Sequence, residues 1–342
     1  MTALGILWFV LIAVLICGYF VLDGFDLGAG VLYPFLARDE RDRAVIRRAI
    51  GPVWDGNEVW LLTAGGALFA AFAPAYATSF SGFYLAIMLV LFGLIVRATA
   101  LEFRAHDPAW AKLWDALFFV GSLLPALLFG VAVGNVVQGL PLNAAGDYTG
   151  TFFDLLSPFA LSCGVLGLVH MLVQGSSWIA LKAPKGSGLK ARATVLRGRL
   201  AIADLVVFAL VGLQFMMVVT PNSAAGITAN TVSSVFALVF AASLAAVVAC
   251  KGTCRKADIA RHVLVSLGCV GLVGMFAASL FPNLIPATAP AFSITIANAA
   301  SSDLTLIAMT IIACIGVPLV LVYHVISYRI FSGSLDDSDL TY

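Results

Sequence analysis

Paired carboxylate side chains in an otherwise apolar sequence are the residues best suited to chemistry. Asp23 and Asp26 lie in the segment DGFDLGAG, and Asp55 and Glu58 lie in PVWDGNEVW. Charged residues make up only 11% of the chain, against roughly 25% in soluble domains. A carboxylate in such surroundings can take up and release protons, because burial and neighbouring charges tune its pKa. Both pairs are therefore candidates for proton handling.

Further polar residues accompany these pairs. Residues three apart share a helix face, so each pair is expected to point in one direction. Capping of a helix start explains Asp55 and Glu58 equally well. It does not explain Asp26, because the sequence predicts an unbroken apolar helix before it. The candidate proton path or polar network consists of Asp23, Asp26, Trp54, Asp55, Asn57, Glu58, Arg97 and Glu102.

The composition predicts that the elements positioning these residues are membrane helices. Hydrophobic residues make up 61% of the chain, and its mean hydropathy is +1.03. A helix needs about 20 apolar residues to cross a bilayer, and β-barrel strands are shorter and alternate in polarity. Uncharged runs broken near Pro74, Pro221 and Pro282 predict an all-α polytopic membrane protein with nine spans in a single membrane domain. The predicted spans are about 4–34, 54–73, 79–101, 113–138, 153–181, 200–220, 229–250, 262–281 and 303–329.

The distribution of basic residues predicts the orientation of these spans. All 19 Lys and Arg residues fall on one side of the nine-span arrangement, and that side is predicted to be the cytoplasm. The N-terminus is then outside and the C-terminus inside. The first segment lacks the basic start of a cleavable signal peptide. Basic loops on the inner face serve as insertion signals, so no nucleic-acid partner is predicted.

Histidine and cysteine provide little evidence for a metal or haem. His170 and His324 lie within spans at comparable depth, which makes them conceivable axial haem ligands, but no supporting motif accompanies them. Packing is the favoured interpretation for both, and no metal site is predicted. The six cysteines lie in spans or at the inner face, where disulfides are not expected. The glycines of DGFDLGAG, together with Gly65, Gly66 and Gly93, are interpreted as sites of close helix contact.

Several motifs resemble one known family over nearly the whole chain. The segments DGFDLGAG, GPVWDGNEVWLLTAGGALFAAFAPAYATSFSGFYL and RATALEFR are similar to the N-terminal half of subunit II of the cytochrome bd-type quinol oxidases. GSLLPALLFGVAVGNVVQGLPL and FPNLIPATAPAFSITIANAASSDLTLIAMT are similar to later parts of the same subunit. Residues 182–270 resemble it least.

The resemblance implies a function and a partner. The family oxidises membrane quinol and reduces O₂ to water in the bacterial cytoplasmic (inner) membrane, and it is electrogenic. Its b and d haems belong to subunit I, which pairs with subunit II as a heterodimer, and subunit II ligates no haem. The implied architecture is two four-helix bundles plus one peripheral helix. Small single-span accessory subunits, bound lipid and a structural quinone remain open.

The resemblance also implies roles for two acids. The aspartate of the WDGN motif, here Asp55, is associated with a path for protons from the cytoplasm. Glu102 stands where some members carry aspartate, so its participation is less strongly implied. Two other functions stay as alternatives. Paired acids could couple protons to a substrate in a secondary transporter, or the chain could be a structural subunit that anchors haem through His170 and His324.

Overall fold

The computed structural model describes residues 1–220, 229–252 and 254–336, and it is mostly helical. A two-stranded antiparallel sheet, β1 (Asn283–Ile285) and β2 (Ile294–Thr295), is the strand structure of this part of the chain. The helices are α1 (Ala3–Leu22), α2 (Gly24–Leu36), α3 (Glu40–Ile50), α4 (Trp54–Ala71), α5 (Ala73–Gly82), α6 (Tyr84–Phe103), α7 (Ala111–Gln138), α8 (Pro158–Lys182), α9 (Gly188–Gln214), α10 (Thr231–Ala249), α11 (Arg255–Leu280), α12 (Ile296–Ala299) and α13 (Asp303–Ile330).

Eight helical segments of the described residues are long and apolar enough to cross a membrane. One of them combines α1 and α2 into the segment Ala3–Leu36. Helix α4 is not among the eight because Asp55, Asn57 and Glu58 make its start polar. The structure therefore confirms a polytopic helical protein, and the ninth span remains a prediction that depends on α4.

The helices that contain several of the predicted spans begin at residues set by local capping. Residues 153–156 form a short 3-10 helix, and α8 begins afterwards at Pro158, where the Ser157 side chain accepts a hydrogen bond from the Ala160 amide. Helix α9 begins at Gly188, well before the predicted residue 200, because the Ser187 hydroxyl caps it. Polar groups of this kind satisfy the free amides of a helix start, and hydropathy alone does not locate them.

The predicted turns at proline residues have different outcomes. Pro74 lies in the first turn of α5, so a short helix joins α4 to α6 where the sequence predicted a turn between two spans. Pro282 follows the end of α11 at Leu280, as predicted. Pro221 lies outside the described residues.

Close packing of small residues holds α2 at the centre of the molecule. A Cβ atom on Gly28 would lie 1.8 Å from the Met171 carbonyl oxygen of α8, and one on Gly30 would lie 2.0 Å from the Ser122 hydroxyl of α7. The predicted role in close helix contact is confirmed at these positions. Gly65 and Gly66 of α4 differ, because nothing else in the described chain lies within 4 Å of a Cβ placed there.

Ion pairs connect the polar segments between helices. Asp258 at the start of α11 binds Lys190 (2.8 Å), Arg197 (3.4 Å) and Arg261 (3.2 Å). Asp115 of α7 likewise binds Arg104 at 2.8 Å. Several of the basic residues that the sequence assigns to one side of the membrane thus form ion pairs with acids at the starts of helices.

Candidate functional site

The first predicted span is interrupted at Asp23, which separates α1 from α2. The Asp23 amide still donates to the Tyr19 carbonyl (2.7 Å), and the Asp23 carbonyl accepts from the Leu27 amide (2.9 Å). Asp26 therefore lies in the first turn of a new helix, where a negative charge is favoured. The predicted unbroken helix before Asp26 is wrong, because the helix is interrupted at Asp23, where the sequence contains neither a proline nor a long polar run.

Arg97 of α6 brings two carboxylates together. Its Nη2 donates to Asp23 Oδ1 at 2.8 Å and to Glu58 Oε1 of α4. The side chains of Arg97 and Asp23 are 2% and 0% exposed, whereas that of Glu58 is 22% exposed. A guanidinium so deeply buried requires such partners, because an unpaired charge away from water is costly.

Asn57 of α4, the neighbour of Glu58 in sequence, forms a hydrogen bond with Asp26. Its Nδ2 donates to Asp26 Oδ2 at 2.7 Å and to the Leu22 carbonyl at 3.1 Å. Its Oδ1 accepts a hydrogen bond from the Tyr328 hydroxyl of α13 at 2.9 Å. We refer to Asp23, Asp26, Asn57, Glu58 and Arg97 as the buried polar cluster.

The charges of the buried polar cluster do not balance when every acid is ionised. Asp23, Asp26 and Glu58 supply three carboxyl groups, and among the described residues Arg97 supplies the one permanent positive charge that contacts them. In apolar surroundings the excess negative charge can be balanced by bound protons. The arrangement is therefore chemically suited to holding protons and exchanging them.

Three predicted members lie outside this cluster. Asp55 is exposed at the surface of α4, and no hydrogen bond or ion pair to its carboxylate occurs in the described ranges. Trp54 is half-buried beside it. Glu102 is exposed on α6, five residues after Arg97, which places the two about 140° apart around the helix.

His324 is engaged at both ring nitrogens. Its Nε2 accepts from Trp60 Nε1 at 3.2 Å, and its Nδ1 lies 2.9 Å from the Val320 carbonyl oxygen. Because the carbonyl accepts only, Nδ1 carries the proton and the ring is neutral. Neither nitrogen is therefore left for an iron atom.

His170 offers no better fit to a haem. Its Nδ1 lies 2.8 Å from Asp204 Oδ2, and its ring packs at 5.4 Å from the ring of Phe240. A Cβ on Gly268 would already lie 3.2 Å from His170 Cε1, so a macrocycle does not fit beside the ring as it stands. The described residues also contain no group of three or more His, Cys, Asp or Glu that could hold a metal ion.

Sequence reasoning missed two residues of these contacts. Asp204 is a lone carboxylate in the apolar helix α9, and an acid within a span is itself a signal of a polar partner. Tyr328, which reaches Asn57 from the last helix, has no comparable signal, because tyrosine is common near membrane surfaces.

The fold and the cluster define a multi-pass membrane protein with an ionisable network inside its helices. The model of cytochrome bd terminal oxidase subunit II matches residues 4–331. This chain belongs to that family, so it is a subunit of an oxidoreductase complex, the quinol oxidase of the bacterial inner membrane.

Individual relatives agree with this membership. The chain is 37% identical to the probable cytochrome oxidase subunit 2 of Haemophilus influenzae, over 97% of this chain and 95% of the relative. It is 34% identical to the cytochrome bd-I ubiquinol oxidase subunit 2 of Escherichia coli K12, over 98% and 96%. It is 35% identical to the cytochrome bd ubiquinol oxidase subunit 2 of Bacillus subtilis, over 97% and 96%.

The fold is also similar to a solved structure. A chain of the bd oxidase from Geobacillus thermodenitrificans superposes with a TM-score of 0.73, covering 96% of this chain and 99% of that one. The two sequences are 16% identical, so this similarity concerns the fold alone.

Proposed function

We propose that this chain is subunit II of a bd-type terminal oxidase that oxidises membrane quinol and reduces O₂ to water. In this proposal it supports a haem-bearing subunit I and admits protons from the cytoplasm through the buried polar cluster. The observation that carries the proton role is the contact of Arg97 with Asp23 and the partly exposed Glu58. Asp55 lies about one helical turn before Glu58, and its carboxylate is exposed at the surface of α4.

The proposed topology has nine spans, with α4 as the second span and the N-terminus outside. Its support is the placement of all 19 Lys and Arg residues on one side. The proposed architecture is two four-helix bundles with α13 as the peripheral helix. In favour of this, α13 is the least buried of the eight apolar segments, and it packs against α1 and α4.

The proposed docking face for subunit I lies on α4. Asp55, Val59, Leu62, Gly66 and Phe69 are exposed and follow the spacing of a single helix face. Hydrocarbon is an unfavourable neighbour for a carboxylate, and the open space over Gly66 permits close approach of another helix. A protein partner satisfies both conditions better than lipid does.

The division of labour follows from this arrangement. The haems b and d would supply the redox chemistry and are assigned to subunit I, because both ring nitrogens of His324 are engaged and Gly268 packs too closely beside His170 for a macrocycle. Reduction of O₂ to water consumes protons, and Asp55 with the buried polar cluster provides groups that bind them. O₂ reduction with protons drawn from the cytoplasm, while quinol oxidation releases its protons on the opposite side, makes the complex electrogenic. A structural quinone, lipid and small accessory subunits are compatible with the exposed apolar faces.

Turnover of an Asp55→Asn complex tests the proton role. Asparagine keeps the shape of the side chain but cannot exchange a proton. We expect the purified heterodimer to keep its haem spectrum while quinol-dependent O₂ consumption falls roughly tenfold or more, which is less than the about 10²–10⁴-fold that a general acid or base contributes.

The matched control is Asp303→Asn. Asp303 is also an exposed acid in the first turn of an apolar helix, but it lies at the proposed outer face, so its loss should leave turnover unchanged. Normal turnover in Asp55→Asn would contradict the proton role, and loss of haem would make Asp55 a residue of subunit assembly.

A further inference from the structure

A second buried acid–base pair lies in the later helices, separate from the buried polar cluster. His170 of α8 and Asp204 of α9 are 3% and 0% exposed, and His170 Nδ1 lies 2.8 Å from Asp204 Oδ2. No other hydrogen bond or ion pair reaches either side chain within the ranges the structure describes. The proposed function does not use this pair.

Each partner keeps one buried polar atom without a protein partner. These atoms are His170 Nε2 and Asp204 Oδ1, and Gln174 Oε1 is a third of the same kind. Gln174 follows His170 by four residues, so both project from the same face of α8. Buried polar atoms in native proteins are almost always satisfied, and ordered water commonly provides the bond.

Helix α11 approaches the edge of the buried imidazole ring at a glycine. Gly268 of α11 faces His170, and a Cβ atom on Gly268 would lie 3.2 Å from Cε1 and 3.9 Å from Nε2 of the ring. On the other side, Gln174 Nε2 donates to the Phe20 carbonyl at 3.1 Å. Gln174 thus connects the surroundings of His170 to the interruption of the first span near Asp23.

The local charges favour a proton shared within the pair. An imidazole that keeps its own N–H at Nε2 and a carboxylate are neutral together when one additional proton lies between Nδ1 and Oδ2, which avoids a net charge in the helix interior. Arg197 of α9 and Arg261 of α11, which are basic residues of the adjoining helices, are bound to Asp258. Helix α10 contributes the ring of Phe240, and α11 contributes the thiol of the buried Cys269 beside Gly268.

We propose that His170, Asp204 and Gln174 form an internal water-binding site whose shared proton exchanges with solvent. A single water bonded to His170 Nε2 and Gln174 Oε1 satisfies both atoms and connects the pair towards the first span. The proposal concerns water and a proton, so it stands or falls independently of the oxidase activity.

Density for the water in the wild-type heterodimer is the first test, and it needs no variant. A cryo-EM map that resolves ordered water should show one peak within hydrogen-bonding distance of His170 Nε2. Infrared spectra in H₂O and D₂O provide the second test. We expect an infrared band of the shared proton in the His170–Asp204 pair. This band should be absent in Asp204→Asn, and in the wild type it should shift after transfer to D₂O.

Gly268→Ala provides a matched perturbation beside the ring. Its methyl group would crowd His170, so the D₂O shift should become slower while the haem spectrum of the complex stays unchanged. A map with His170 Nε2 in direct contact with protein, or an Asp204 signal that does not shift in D₂O, would overturn the proposal. O₂ consumption is not part of the readout, so failure here is distinguishable from failure of the proposed function.

Discussion

Arg97 and Asp23 form an ion pair of 2.8 Å whose side chains are almost wholly buried. They come from two different apolar segments, 74 residues apart in the chain. Asp23 occupies the interruption between α1 and α2, so the pair joins α6 to the point where the first span changes from one helix to the next. Glu58 of α4 binds the same guanidinium. Arg97 of α6 therefore connects its own helix to α4 and to the first span.

Removal of the guanidinium should be strongly destabilising. Arg97→Met leaves Asp23 and Glu58 without their cation, and breaking a buried pair from one side typically costs about 3–5 kcal/mol. We expect a large loss in the thermal stability of the purified heterodimer. The double variant Arg97→Met with Asp23→Asn should recover part of it, because one of the stranded carboxylates is gone. Strictly additive losses would show that the two residues are not coupled.

A methyl group on α2 should be poorly tolerated. In Gly28→Ala the new Cβ would lie 1.8 Å from the Met171 carbonyl oxygen, and overpacking of this kind costs about 1–3 kcal/mol or more. Gly198→Ala in α9 is the control, because nothing lies within 4 Å of its Cβ position, and alanine favours a helix by about 0.5–1 kcal/mol. Equal stability of the two variants in thermal unfolding would contradict the close packing of α2 on α8.

The proposed orientation predicts which loops can be labelled from outside. Ala145 and Lys185 are both exposed and lie on opposite sides of the nine-span topology. In a chain whose native cysteines are replaced, Ala145→Cys should react with a membrane-impermeant thiol reagent in intact cells, and Lys185→Cys should react only after lysis. The reverse pattern would invert the topology, and equal reaction would exclude an odd number of spans between the two sites.

The turn before α8 should respond to acid. Hydrogen bonds from the amide and hydroxyl of Thr151, at 2.7 and 2.9 Å, hold the pKa of Asp154 below its ordinary value. A carboxylate with a lowered folded pKa stabilises the turn above its unfolded pKa of about 3.9. That contribution is lost as the pH falls through the lower folded pKa.

Hydrogen exchange of the Thr151 amide measures this effect. At neutral pH, Asp154→Asn should exchange faster than the wild type, relative to amides elsewhere in the same loop. The difference should disappear once the wild-type carboxylate is protonated. A difference that persists at the acid limit would assign the protection to something other than this charge.

The sequence predicted the apolar helices well because their length and lack of charge are set by the bilayer. Their ends were less predictable, since Ser157 and Ser187 start helices through single hydrogen bonds. The interruption at Asp23 has the same character. Backbone hydrogen bonds continue on either side of Asp23. Neither a proline nor a polar run marks the interruption in the sequence.

Candidate site residues were recognisable by type, but their partners were not. Asp55 and Glu58 are three positions apart, yet Glu58 turns to Arg97 while Asp55 faces outward. Glu102 was grouped with Arg97 because the two are close in sequence, but their side chains project from different faces of α6. Asp204 meets His170 across helices, and one sequence without coordinates does not show such a pairing.

Proton uptake by the reconstituted complex tests the central claim most directly. The heterodimer would be placed in vesicles with a pH-sensitive dye on the side of the Lys- and Arg-rich loops, and a quinol pulse would start turnover under O₂. The account predicts that Asp55→Asn slows alkalinisation on that side roughly tenfold or more, whereas Asp303→Asn matches the wild type. Wild-type uptake in an Asp55→Asn complex with full haem content would contradict it.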